Sequence, residues 1–167
     1  MNTVESQVGA AIERVLGLVL VRVEYLCLPH EAPNALAALE LDGEIALRFE
    51  ANESVYLPWN QVSGWNEVNS LVASIRPQSK PESFVQADAS SQVLWSAHVG
   101  SKLCRAEVLG WSGTPAIARL AFSHGSVLIG VGYEAGFRDG DCILARADDP
   151  MWLFAGEEAA TLWSASA

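Results

Sequence analysis

Two stretches of the sequence, residues 17–51 and 100–135, carry the same features in the same order. Each begins at a glycine, continues through a strand-like run, a proline, an alternating run and a turn with glycine, and ends in an aromatic residue followed by Glu-Ala. An internal repeat indicates a chain built from two similar units, which limits the architecture more than any single motif does. The matched positions are Gly17 and Gly100, Glu24 and Glu107, Leu26 and Leu109, Pro33 and Pro115, and Asp42–Gly43 and His124–Gly125.

The first unit is predicted to contain one helix and four strands. Residues 4–16 repeat apolar side chains at the period of an amphipathic helix, and Gly17 is a typical residue at which such a helix ends. Asp42–Gly43 separates two alternating runs, as in a two-residue β-hairpin whose turn residues adopt positive φ. The strands are predicted at 18–28, 35–41, 44–50 and 54–59, with Val19, Val21, Val23, Tyr25 and Cys27 on one face of the first.

The second unit repeats this pattern. A short helix is predicted at 92–99 and ends at Gly100, and His124–Gly125 takes the place of the Asp-Gly turn of the first unit. The strands are predicted at 101–110, 115–123, 126–134, 141–147 and 151–154, with additional helices at 65–75 and 156–163.

These elements predict an α+β fold of two internally duplicated α-β-β-β-β units with antiparallel sheets, related by a pseudo-twofold axis. Alternation of the βαβ type is absent, which argues against a parallel doubly wound sheet. We assign residues 1–73 to the first repeat, 74–91 to a polar linker and 92–167 to the second repeat. The length of 167 residues allows one domain, or two small ones packed together.

The charge of the chain limits the classes of partner. Twenty acidic and ten basic residues give a net charge of −10, which disfavours nucleic acid and anionic membrane surfaces, because both are bound through Lys and Arg. A basic protein partner is compatible with this field. We detect no basic targeting segment, and the longest early apolar run is far shorter than the roughly 20 residues that span a bilayer. We therefore expect a cytoplasmic protein.

The cysteines and glycine motifs point away from catalysis. Cys27, Cys104 and Cys142 are odd in number and form no CxxC pair, which favours free thiols in a reducing compartment over a disulfide or metal site. The segment 110–113 lacks the spacing of a nucleophile elbow, and the glycines at 130–136 lie within a strand rather than before a helix. We predict no catalytic residue, no metal and no cofactor.

The acidic residues are distributed unequally between the two units. Residues 31–53 hold six acids and one base, whereas the corresponding residues 113–135 hold one of each. Two repeats that differ in this way suggest that one of them contacts a partner. Tryptophan is enriched at binding hot spots, so two tryptophans near strand ends join the predicted set. The predicted partner-binding residues are Glu40, Asp42, Glu44, Glu50, Glu53, Trp59, Asp139, Asp141, Asp148, Asp149 and Trp152.

We predict a non-enzymatic protein that binds and neutralises or regulates a protein partner, as an immunity protein or antitoxin does with a basic toxin. The alternative is a small-molecule-binding or enzymatic domain with a pocket between the two repeats. Its candidate polar residues are Tyr25, His98, Cys104, Tyr133 and Glu134. A third hypothesis is an assembly subunit that pairs through exposed strand edges. The sequence is compatible with a monomer or a homodimer.

Overall fold

A computed structural model describes residues 4–27, 29, 38–41, 43–61, 69–71, 73–77, 82–111, 114–131, 136–138, 141–143 and 151–154. These residues form a sheet-rich α+β fold whose paired strands are antiparallel. The helices are α1 (Val4–Glu13) and α2 (Val93–Ser96), with a 3₁₀ turn at Glu50–Asn52. The strands are β1 (Leu20–Cys27), β2 (Ala38–Leu41), β3 (Glu44–Phe49), β4 (Ser54–Gln61), β5 (Asn69–Leu71), β6 (Val85–Asp88), β7 (Leu103–Trp111), β8 (Thr114–Phe122), β9 (Gly125–Val131), β10 (Gly136–Arg138), β11 (Asp141–Ile143) and β12 (Met151–Phe154).

The first sheet has five strands in the order β5-β4-β3-β1-β6. Val23, Tyr25 and Cys27 of β1 are buried in the core, as the alternation of side chains predicts. The prediction is wrong for Val21, which is 50% exposed. An irregularity in the pairing with β3 between Leu20 and Arg22 adds one residue to β1, and this shifts the alternation by one position.

The predicted hairpin at Asp42–Gly43 is absent. Strand β3 pairs with β1 and β4, whereas β2 pairs with β12 and belongs to the second sheet. Gly43 has a different role, because a Cβ atom built on it would lie 1.8 Å from the carbonyl oxygen of Leu26. The glycine therefore permits a close approach of two backbones and does not form a two-residue turn.

The second sheet has the order β2-β12-β9-β8-β7. The turn at His124–Gly125 does join two paired strands, with Phe122 opposite Gly125, as predicted. The strand β12 lies between β2 and β9. A separate two-stranded sheet is formed by β10 and β11.

The segment between the two predicted units contains two strands, β5 and β6. A helix was expected at 65–75, but β5 forms there, and Ser74 bridges to Tyr56 of β4. The predicted linker 74–91 contains the strand β6, which pairs with β1 and completes one edge of the first sheet. The helix predicted at 156–163 lies outside the described residues.

One hydrophobic core includes residues of both sheets and both helices. Helix α1 lies in the first half of the chain and contacts β7 and β8 of the second half. Conversely, Trp95 of α2 donates a hydrogen bond from its indole nitrogen to the hydroxyl of Tyr25 in β1. Each helix therefore contacts strands that lie in the other half of the chain. Among the described residues, no helix is long and apolar enough to cross a membrane.

The pairing of β1 with β3 has the same register as the pairing of β7 with β8. Six residue pairs, from Leu20↔Phe49 to Leu26↔Glu44, correspond to six pairs from Leu103↔Phe122 to Leu109↔Ile117. The irregularity after Leu20 recurs after Leu103, at the equivalent place. The register therefore relates β1 to β7 by 83 positions, and β3 to β8 by 73.

The two halves also meet through reciprocal backbone hydrogen bonds. The N–H of Gly17 donates to the carbonyl of Leu103 at 2.8 Å, and the N–H of Gly100 donates to the carbonyl of Leu20 at 2.7 Å. Both glycines have positive φ, at 81° and 87°, which is a conformation that other residues adopt at a cost. The two helices predicted to end at these glycines end earlier, at Glu13 and Ser96, and a turn leads from each helix to its glycine.

Candidate functional site

Three of the predicted acidic contact residues interact with the protein itself. Glu44 lies in β3 and is only 4% exposed. The carboxylate of Glu50 accepts a hydrogen bond from the backbone N–H of Val19 at 3.1 Å. The carboxylate of Glu53 forms an ion pair with Arg14 at 3.2 Å. These acids contribute to the fold around α1, β1 and β3.

Of the other eight predicted contact residues, four lie in strands whose pairing is described, and four lie outside the described residues. Glu40 of β2 faces Trp152 of β12 in register, so two of the predicted residues are neighbours in the second sheet. Trp59 lies in β4 opposite Leu71, and Asp141 lies in β11 opposite Arg138. Asp42, Asp139, Asp148 and Asp149 lie outside the described residues.

The arginines of the described residues are largely neutralised within the protein. Among the described residues, five arginines form ion pairs with four carboxylates. Internal pairing of this kind reduces the positive charge that is available to partners, so the external field of the protein is anionic. The pairs are Arg14 with Glu53, Arg22 with Glu24 and Asp88, Arg48 with Glu24, and Arg105 and Arg119 with Glu107.

Glu24 is the centre of a polar cluster on the first sheet. Its two carboxylate oxygens bind Arg48 Nε at 2.9 Å and Arg22 Nε at 3.2 Å, and the residue is 6% exposed. Arg48 also donates to Ser54 Oγ at 3.2 Å and to the hydroxyl of Tyr56. Burial lowers the pKa of the Arg48 guanidinium, but the hydrogen bonds to Glu24 and Tyr56 raise this pKa by more, so Arg48 stays charged.

An equivalent cluster occurs on the second sheet with its arginine at a different position. Glu107, 83 residues after Glu24, binds Arg105 and also Arg119, the latter at 2.8 Å. In the first sheet, β3 pairs with β1 and carries Ala46 opposite Glu24 and Arg48 opposite Arg22. By the register, the corresponding positions of β8 are Arg119 and Ala121, so arginine and alanine have exchanged places.

A cleft of about 380 Å³ opens beside the first cluster, and we call it the arginine cleft. One wall is the loop that joins β3 to β4, in which Ala51 and Asn52 have φ values of +57° and +62°. Such left-handed backbone is uncommon for residues with a side chain. The polar groups that line the cleft come from Arg22, Glu24, Arg48, Asn52, Glu53, Ser54 and Gln86.

Three of the five residues predicted for the alternative small-molecule site, Tyr25, His98 and Cys104, lie within the described residues. Burial raises the pKa of the Tyr25 phenol, whose oxygen accepts the hydrogen bond from Trp95. The ring of His98 is stacked at 4.9 Å on the ring of Phe122, and its Nδ1 is buried with no hydrogen-bond partner among the described residues. Cys104 is exposed. Tyr133 and Glu134 lie outside the described residues.

The arginine cleft was not predicted, because the pairing that brings Arg48 of β3 next to Glu24 of β1 joins residues that are far apart in the sequence. A signal was present, since the pattern Arg-x-Glu occurs at 22–24 and again at 105–107, with the spacing of the repeat. Within the described residues, no group of three or more His, Cys, Asp or Glu side chains is placed to hold a metal ion. Comparison with protein-family models, curated proteins and solved structures gives no match for this chain.

Proposed function

We propose that the protein is a non-enzymatic binding protein that neutralises or regulates a basic protein partner in the cytoplasm, as an immunity protein or antitoxin does. The observation that carries the proposal is the internal pairing of the arginines. Among the described residues, five arginines are bound by carboxylates of the chain itself, and the whole chain carries twenty acids against ten bases. An anionic surface of this kind attracts a cationic partner and accelerates its association.

The surface available to the partner differs from the one that the sequence suggests. Glu44 is buried, so it is withdrawn from the proposed contact set. Glu50 and Glu53 contribute their negative charge while they bind Val19 and Arg14. The proposed contacts are therefore concentrated at Glu40, Asp42, Trp59, Asp139, Asp141, Asp148, Asp149 and Trp152.

The proposal is tested by affinity purification of the tagged protein from its native cells, at low and at high salt. We expect a stoichiometric basic protein at low salt that is lost at high salt, because exposed charge pairs are screened. A variant with Asp139, Asp141, Asp148 and Asp149 changed to Asn should lose the partner.

The matched control is Glu82→Gln, which removes an exposed acid outside the proposed set. It should retain the partner. The proposal fails if no basic protein is recovered at either salt concentration, or if the neutralised variant and the wild type recover the same protein equally.

We also propose that the chain arose by internal duplication of a unit that formed a twofold dimer. Support comes from the equal registers of β1–β3 and β7–β8, and from the reciprocal hydrogen bonds of Gly17 and Gly100. Isologous contacts have this reciprocity, because residue i of one copy meets residue j of the other and j meets i. The equivalence that we propose pairs Phe49 with Phe122, and replaces the pairing of Asp42–Gly43 with His124–Gly125.

The exchange of arginine and alanine between the two sheets provides a test of this equivalence. Arg48→Ala should destabilise the protein, since it leaves the buried carboxylate of Glu24 with one partner fewer. Adding Ala46→Arg reproduces the arrangement of β8 and should restore most of the lost stability. If the double variant is less stable than Arg48→Ala alone, the two strands are not equivalent.

A further inference from the structure

We propose that the arginine cleft binds a small organic monocarboxylate. The cleft lies beside Glu24 and is lined by residues of the first sheet and of the loop between β3 and β4, whereas Glu40 and Trp152 belong to the second sheet. Its volume falls within the range of about 300–1,000 Å³ that is usual for small-molecule sites. The inference is separate from the proposed function, because a ligand in this cleft requires no protein partner.

The cleft presents unused hydrogen-bond donors. Arg22 uses Nε to approach Glu24 and Asp88, and Arg48 uses Nε and Nη1 for Glu24, Ser54 and Tyr56. Within the described part of the chain, Nη2 of Arg48 and both terminal nitrogens of Arg22 make no hydrogen bond. The two oxygens of Glu24 are both occupied by these arginines. The cleft is therefore suited to a ligand that accepts hydrogen bonds.

The charge of the cleft favours a single negative charge on the ligand. Three cations (Arg14, Arg22 and Arg48) and three carboxylates (Glu24, Glu53 and Asp88) are joined by ion pairs at and around the cleft. A dianion would be repelled by these carboxylates and by that of Glu50 in the neighbouring loop, whereas a monocarboxylate adds only one charge. A planar guanidinium also matches the two oxygens of a carboxylate in a bidentate arrangement.

The loop of the cleft is held in a strained conformation. Ala51 and Asn52 each adopt left-handed backbone, which is strained for alanine and better tolerated by asparagine. The loop is closed by the N–H of Phe49, which donates to the carbonyl of Glu53 at 2.9 Å, and by the carboxylate of Glu50, which accepts from Val19. Strain that the surrounding structure maintains is concentrated at ligand-binding sites, and here it places Asn52 at the cleft.

The test is an NMR titration that observes the arginine side-chain Nε–H groups of the whole chain. Sodium acetate is the probe, with sodium chloride and sodium phosphate at matched ionic strength and pH as comparators. We expect saturable shifts of the Arg22 and Arg48 signals with acetate, and weaker effects with chloride and phosphate. Arg22→Gln should weaken acetate binding by about tenfold, because a hydrogen bond to a charged group is lost.

The chain offers a matched control in Arg105, the equivalent of Arg22 in the second sheet. Arg105→Gln removes the same charge next to Glu107 and should leave acetate binding unchanged. Ala51→Gly should stabilise the fold, because glycine relieves the left-handed strain, and should weaken acetate binding, because the loop is freer. This variant separates loss of binding from loss of folding.

Three results would overturn the proposal. The first is an acetate effect no larger than that of chloride. The second is equal weakening by Arg22→Gln and Arg105→Gln, which indicates general charge attraction. The third is tighter binding of phosphate than of acetate, which assigns the cleft to a dianion.

Discussion

Val19 and Lys102 face each other as an isolated antiparallel bridge, and the backbone hydrogen bonds on both sides of this bridge are reciprocal. Gly17 donates to Leu103, and Gly100 donates to Leu20. The bridge is therefore one of the places at which the two halves of the chain are joined by backbone contacts, as they also are where β2 pairs with β12. The bridge lies directly before the first residues of β1 and β7, so we expect substitutions next to it to affect both halves of the chain.

The first prediction concerns the two glycines next to this bridge. Gly17→Ala and Gly100→Ala should each destabilise the protein by about 1 kcal/mol, because the left-handed backbone at φ values of 81° and 87° strains a residue with a Cβ atom. No atom lies within 4 Å of either added Cβ, so the cost comes from the backbone alone. Urea denaturation of each variant measures the change in the free energy of unfolding.

The control for these variants is Gly9→Ala in helix α1, where the added Cβ also meets no atom within 4 Å. This variant should stabilise the protein by up to about 1 kcal/mol, since alanine is the better helix former. Equal effects of all three substitutions would contradict the argument from positive φ.

The second prediction concerns Gly43, where the added Cβ has no room. Gly43→Ala places a carbon 1.8 Å from the carbonyl oxygen of Leu26, so the backbone of β1 or β3 must move. We expect a loss of about 3 kcal/mol or more, as for severe overpacking, and a larger loss than for Gly17→Ala. A loss no larger than that of Gly17→Ala would show that the backbone near Leu26 can shift at little cost.

Local features of the sequence predicted much of this fold. The amphipathic period of residues 4–16, the glycines after both helices, and the alternation at Val23, Tyr25 and Cys27 depend on neighbours within a few positions. These local patterns are found in the structure because their apolar side chains are buried in the core. The antiparallel character of the sheets followed from the short strands and turns.

Local sequence patterns did not predict which strands pair when the strands are far apart in the chain. Asp42–Gly43 has the composition of a hairpin turn, but β2 pairs with β12, which begins more than 100 residues later. A turn motif predicts the local backbone conformation but does not determine which strand pairs with the one that follows it. The same reason explains the acidic residues, since the burial of Glu44 follows from the pairing of β3 with β1 and β4 rather than from its own neighbours.

The third prediction concerns the hydrogen bond between helix α2 and the first sheet. Tyr25→Phe should destabilise the protein by about 1–3 kcal/mol, because the buried indole N–H of Trp95 loses its acceptor. Thermal denaturation measures the loss. Trp95→Phe, which removes donor and volume together, should cost more. No change in Tyr25→Phe would indicate that the indole N–H finds a different acceptor.

The fourth prediction concerns the pH dependence of stability through His98. Burial lowers the pKa of His98 below its ordinary value of 6.5, and the nearby His124 lowers it further. Near and below pH 6.5 the unfolded chain binds a proton at this residue that the folded protein does not bind. The stability that the neutral imidazole provides is therefore complete above pH 6.5 and is lost as the pH falls toward the folded pKa.

The variant His98→Phe removes this titration and retains a ring against Phe122. Its free energy of unfolding should fall less steeply than that of the wild type between about pH 6.5 and 5. The control His124→Gln should lessen the slope only in part, because burial is the larger cause of the pKa shift. Equal slopes for wild type and His98→Phe would assign the acid sensitivity to other groups.

The fifth prediction compares the two carboxylates that hold the arginine pairs. Glu24→Gln should cost about 2 kcal/mol or more, because Arg48 is left charged in a half-buried position without its carboxylate. Glu107→Gln should cost about 1 kcal/mol or less, since Glu107 is more exposed than Glu24 and solvent screens its pairs. Denaturation at low and high salt measures both losses, and only the smaller one should shrink further with salt. If Glu107→Gln costs as much as Glu24→Gln, burial of the carboxylate is not what distinguishes the two clusters, and the cleft beside Glu24 has no special electrostatic support.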